Sequence, residues 1–191
     1  SREVFRIVRR YLKKIEQTSV DEAYLYISAS GSYAKARALA RRIQRQIIRE
    51  THLTASIGIG PNRMVAKVAS GYQKPRGLTV VPPERVKTFL GPLPVRDIPG
   101  IGPKAEAALA RLGIRTVGHM RERKASLAQT LGPHGLALWE KSQGISPDEL
   151  HGYEDPKSIG EHETFETDTH SFRFVSTVLT RMSVSIVRRL N

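Results

Sequence analysis

Hydrophobic periodicity changes character at Gly91-Pro92-Leu93-Pro94, and this change most limits the folds open to the chain. Before it, segments with apolar residues three and four apart alternate with short runs at period two. After it, to about Gly152, strand spacing disappears and short helices alternate with Gly-containing turns. The pattern predicts an α+β unit followed by an all-α unit, with a boundary near Gly91.

Within the first unit, Phe5, Val8, Leu12 and Ile15 predict an amphipathic helix over 3–15. Residues 15–18 and 24–28 then predict two short strands flanking Asp21-Glu22. Leu39, Ile43 and Ile47 predict a helix over 32–50, whose Arg37, Arg41, Arg45 and Arg49 read as a solvated face. A strand over 53–59 ends at Gly60-Pro61-Asn62, where a helix starts with Met64, Val65, Val68 and Ala69 on its core side. A strand over 77–81 and a short helix over 84–90 complete the unit. The expected layout packs helices on one face of a mostly antiparallel sheet. Residues 146–155 read as a linker, followed by a strand over 157–165 and a helix over 171–190. One strand and one helix cannot enclose a core, so this third unit reads as truncated.

A net charge of +13 on 191 residues implies a polyanionic partner, nucleic acid before any other, with an inert basic surface as the alternative. No apolar run approaches the ~20 residues that cross a bilayer, so no membrane partner is expected. No signal or transit segment opens the chain. The absence of cysteine excludes disulfides and thiolate metal sites, and a cytoplasmic protein is expected.

Asp21 and Glu22 carry the chemistry. Successive side chains on a regular strand point to opposite faces, so the two carboxylates can serve one cation only if a turn re-aims one of them. Oxygen ligands of this kind suit Mg²⁺, which keeps waters for substrate phosphates to displace. Two-metal phosphoryl transfer requires more ligands, so a third carboxylate is expected from elsewhere. Taken alone, an Asp-Glu turn is more often a solvated pair. Further along, Lys67 to Pro75 is suited to phosphate, with Lys74 before a proline; by itself Lys74 reads equally as a solvated lysine at a helix boundary. Gly100-Ile101-Gly102 leads into a helix from Pro103, the arrangement of a helix-hairpin-helix turn whose free N–H groups attract phosphate oxygens, and Lys104 adds charge there. An ordinary tight turn is the alternative. Leu131 to Gly135 is a weaker second hairpin or simply a helix end. The six histidines show no ligand spacing, and Trp139 and Tyr33 read as packing residues.

Several stretches together carry a resemblance. Ser19-Val20-Asp21-Glu22-Ala23-Tyr24-Leu25, Ser56 to Arg63, Ala66 to Ser70, Lys74 to Leu78, Pro92 to Gly102 and Lys157 to Gly160 resemble, in order and at similar separations, the motifs of Y-family (translesion, polymerase IV-like) DNA polymerases. That family has palm, fingers, thumb and little finger and copies damaged templates. The resemblance implies the C-terminal part of a palm at 1–91, a helix-hairpin-helix thumb at 92–152, and a linker with the start of a little finger at 153–191. It implies Asp21 and Glu22 as catalytic metal ligands for two Mg²⁺ ions and Lys74 as a contact to the incoming triphosphate. Gly100, Ile101, Gly102 and Lys104 would hold DNA. The implied partners are primer-template DNA and a deoxynucleoside triphosphate, for a monomer that could reach a sliding clamp through regions outside these residues.

Departures accompany the likeness. The family's first catalytic aspartate and its fingers have no counterpart here, so the 191 residues alone are expected to be inactive. Gly71 and Tyr26 stand where the family commonly has aspartates. The rival reading is a non-catalytic helix-hairpin-helix DNA-binding protein; a nuclease built on Asp21-Glu22 lacks a supporting acidic or histidine cluster.

Overall fold

The computed structural model describes residues 1–27, 31–146 and 158–190. They belong to two compact units, Ser1–Gly152 and Tyr153–Asn191.

In the larger unit, α1 (Arg2–Arg9) leads to β1 (Ile15–Gln17), which pairs antiparallel with β2 (Ala23–Leu25), Glu16 standing opposite Tyr24. The first helix is shorter than its apolar spacing predicts. The chain leaves it through Tyr11 and Leu12 N–H groups that both donate to the Val8 carbonyl. Leu12 and Ile15 still pack on the Ile7, Val8, Ile43, Ile47 cluster, so they serve the core without helical geometry.

Helix α2 (Tyr33–Thr51) begins where the Ser32 hydroxyl accepts the Lys35 N–H at 3.3 Å. It stops at His52, whose φ of 57° is left-handed and incompatible with helix continuation. Its Ala36, Ala40, Ile43 and Ile47 are buried, while Arg37, Arg41, Arg45 and Arg49 are exposed. Helix α3 (Arg63–Tyr72) is capped by Asn62, whose Oδ1 accepts the Val65 N–H at 3.0 Å and whose amide donates to the Gly144 carbonyl at 2.8 Å.

β3 (Ile57–Ile59) and β4 (Leu78–Val80) flank α3 and pair parallel, Gly58 opposite Thr79. Among the described residues the strands form two separate two-stranded ladders, one antiparallel and one parallel, rather than a mostly antiparallel sheet. The reason is the connection: a whole helix lies between β3 and β4, which returns the chain in the same direction, whereas β1 and β2 share a tight turn. Gly58 is required by that crossover. A Cβ there would lie 2.1 Å from the Ala66 carbonyl oxygen, so α3 packs its backbone directly on β3.

A single-turn helix (Pro83–Arg85) and α4 (Val86–Leu90) follow, then another single turn (Val95–Asp97), α5 (Pro103–Arg111), α6 (Val117–Arg121) and α7 (Lys124–Ser142). α7 is broken at Gly132 (φ 57°, ψ −138°), ahead of Pro133, so Leu131 to Gly135 is a kink between two helical stretches. One apolar cluster runs from Met64 and Val65 through Leu90 and Ile98 to Leu109 and Leu138. The core is thus continuous across Gly91.

In the smaller unit, α8 (Phe172–Leu190) is the only regular element among the described residues. The expected strand over 157–165 does not occur at 158–165. A strand needs a neighbour for its N–H and C=O groups, and none pairs with it among the described residues. Instead Phe165 meets Phe174 edge to face at 5.3 Å and Glu163 pairs with Arg181 at 3.1 Å. The predicted linker over 146–155 lies almost entirely outside the described residues.

Candidate active site

The Asp21-Glu22 pair sits in the turn between β1 and β2, outside both strands. Ser19 organises it. Its hydroxyl donates to Asp21 Oδ1 at 2.7 Å and accepts the N–H groups of Asp21 (3.3 Å) and Glu22 (3.0 Å). The Glu22 carbonyl closes the turn by accepting the Thr18 and Ser19 N–H groups at 3.0 and 3.3 Å. These bonds release the two side chains from the strand alternation.

Both carboxylates are exposed and line a cleft of about 650 Å³ walled by the β1–β2 turn, β3, α2 and α3. Lys74, immediately after α3, lines the same cleft. So does Lys67, whose ammonium pairs with Glu22 Oε1. Both partners are substantially exposed, 38% and 47%, and a pair so open to water contributes about 0–1 kcal/mol to stability. The turn is held against α3 by Arg63, which pairs with Glu16 at 2.9 Å and covers the Tyr24 ring at 4.4 Å. Tyr26 lies at the surface with Lys14 over its ring, and a side chain at Gly71 would meet nothing within 4 Å.

The donor set fits a hard divalent cation: two carboxylates, no thiolate, and a cleft wide enough for water and phosphate ligands. Among the described residues no three His, Cys, Asp or Glu side chains gather into a cage. Asp21 and Glu22 can therefore hold a cation in part, with further oxygens coming from another group.

A second candidate site lies at the Gly100–Lys104 turn. Gly100 takes φ 96°, a conformation that favours glycine, and turns the chain into α5. Gly102 is the N-cap and contributes no side-chain cap; Pro103 occupies the first turn, and Lys104 is exposed. Ile101 is buried and anchors the hairpin in the main core. Lys141, from α7, donates to the Pro99 carbonyl at 2.9 Å and brings its ammonium beside Gly100. The first turn of α5 receives no side-chain cap, which leaves N–H donors that an anion could accept from. Trp139 is a packing residue, donating to the Arg121 carbonyl at 3.0 Å beneath Lys124.

The sequence placed Lys67 only in the phosphate-suited stretch 67–75, without its pairing to Glu22, and gave Lys141 no role. Lys67 lies in α3 and Lys74 two residues beyond its end, so helical spacing does not relate them; their place beside one cleft follows from the fold. Nothing local marks Lys141, because its partner is 42 residues away.

Residues 1–71 match the impB/mucB/samB family and residues 83–114 match the IMS family HHH motif. DNA polymerase IV of Methanoculleus marisnigri is 45% identical over 168 residues, covering 87% of this chain and 47% of that protein. Among solved structures, DinB from Sulfolobus solfataricus superposes with a TM-score of 0.72 at 29% identity, covering 79% of this chain and 46% of that one. A Y-family DNA polymerase chimera superposes at 0.73 and 29% identity, covering 81% of this chain and 46% of its own. The chain belongs to the Y family of DNA polymerases. It spans about half the length of the curated relatives it matches. The first matched segment contains Asp21 and Glu22, and the second contains the Gly100–Lys104 hairpin.

Proposed function

We propose that this chain is the catalytic-palm and thumb portion of a translesion DNA polymerase, with 1–91 in the palm, 92–152 in the thumb and 153–191 opening the little finger. The observation that carries the proposal is the convergence of Asp21, Glu22 and Lys74 on one cleft in a chain of this family. The substrates are primer-template DNA and a deoxynucleoside triphosphate, and the reaction is attack of the primer 3′ hydroxyl on the α-phosphorus with release of pyrophosphate.

Each residue has a separate task. Asp21 and Glu22 present anionic oxygens that would hold Mg²⁺, and Ser19 fixes the turn so that both reach the cleft. When bound, Mg²⁺ lowers the pKa of the attacking hydroxyl and offsets charge developing on the phosphate. The Lys74 ammonium neutralises charge on the triphosphate. The α5 N-terminus and Lys104 hold a backbone phosphate of the duplex without reading bases, which suits an enzyme that copies any sequence. Two ions require a third carboxylate, and the 191 residues alone are expected to show no primer extension.

The test is primer extension with Mg²⁺ and four triphosphates by a full-length polymerase carrying these residues. Extension that Asp21→Ala abolishes supports the reading. Duplex binding without extension would favour the non-catalytic DNA-binding alternative.

A further inference from the structure

We propose that Lys67 restricts Glu22 to binding a divalent cation through one oxygen, and so biases the cleft toward Mg²⁺ over Ca²⁺. The inference rests on the proposed metal-binding role of Asp21 and Glu22 and adds a positioning residue to it.

A carboxylate has two oxygens, and the Lys67 ammonium takes Oε1. Among the described residues no donor reaches Oε2, which is the oxygen left for a cation. Chelation through both oxygens would require the ammonium to withdraw. The two common hard cations respond differently to that restriction. Ca²⁺ accepts six to eight oxygens at about 2.3–2.6 Å and often takes a carboxylate through both; Mg²⁺ holds near-ideal octahedral geometry at about 2.0–2.1 Å, one oxygen to each vertex. Blocking one oxygen therefore penalises Ca²⁺ and costs Mg²⁺ little.

Three further features support the assignment. The pair is too open to water for stability to account for it. Lys67 starts from a fixed base: it lies within α3, and the Ser70 hydroxyl donates to its carbonyl at 2.7 Å. Asp21 is held differently, by the neutral Ser19 hydroxyl, with no ammonium paired to it among the described residues.

The experiment is Mn²⁺ binding, followed by electron paramagnetic resonance, to a full-length polymerase carrying these residues, with Mg²⁺ and Ca²⁺ as competitors, for wild type, Lys67→Met, Lys67→Gln and Lys67→Arg. Thermal unfolding of each variant is recorded in parallel. In Lys67→Met and Lys67→Gln the competition ratio is expected to move toward Ca²⁺ by up to about 5-fold, the most that a pair worth about 0–1 kcal/mol can withhold, while Lys67→Arg keeps the wild-type ratio. If Mn²⁺ binds and both neutral variants keep the ratio, or tighten Mg²⁺ and Ca²⁺ equally, this inference is overturned while the metal reading stands. If the wild-type chain takes up no Mn²⁺, the metal reading fails and the inference with it.

Discussion

Asp21 and Glu22 differ in how they are restrained, and that difference sets what each substitution should do. Asp21 is tied only to its own turn through Ser19, so Asp21→Ala removes a ligand without loosening α3 or the hairpin. In a full-length polymerase carrying these residues, extension should fall at least about 100-fold, the scale of losing one group aimed at developing charge. Duplex affinity, measured by anisotropy, should stay at the wild-type value. Lys74 is exposed at the cleft and takes part in no ion pair among the described residues. Lys74→Ala should raise the KM for the triphosphate and leave that for primer-template unchanged; an equal rise in both would remove it from the triphosphate site.

At the scale of elements, α3 packs its backbone against β3 through Gly58. Adding a methyl group at Gly58 forces the Ala66 carbonyl oxygen and the Ser70 nitrogen away, because both are backbone atoms that cannot rotate aside. Gly58→Ala should destabilise the larger unit by about 1–3 kcal/mol or more in denaturant titration. The α1–α2 contact has an electrostatic counterpart. Hydrogen bonds from Gln46 and Arg10 hold the Glu50 carboxyl below its usual range. A depressed folded pKa means the contribution is complete at neutral pH and is lost as pH falls through the folded value. Glu50→Gln should therefore flatten the acid side of the stability profile below about pH 4.3 and leave the alkaline side unaltered.

At the scale of the molecule, the charge of +13 and the hairpin make one electrostatic prediction. Duplex affinity of the chain should fall steeply with salt, log K decreasing by about 0.9 per log salt for each phosphate neutralised. Removing the hairpin's share with Gly100→Ala and Lys104→Ala should lower that slope by about 1–2 and not merely shift the curve. An unchanged slope would place the duplex elsewhere on the surface.

The positions of α2, α3, α5 and α8, the α+β-then-α order, the polar turn at Asp21-Glu22 and the hairpin were legible in the residues, because each depends on neighbours within a few positions. Capping by Ser32 and Asn62, the φ of Gly100 and the apolar stripe of α2 are local effects of that kind. What the tertiary structure alone decided depends on distant partners. The parallel pairing of β3 with β4 and the absence of a strand over 158–165 both turn on whether another backbone is available to bond with. Lys67 reaching Glu22 from 45 residues away and Lys141 reaching Pro99 follow from packing that no window along the chain contains. Periodicity specifies which face of an element is buried; only the folded chain specifies what that face meets.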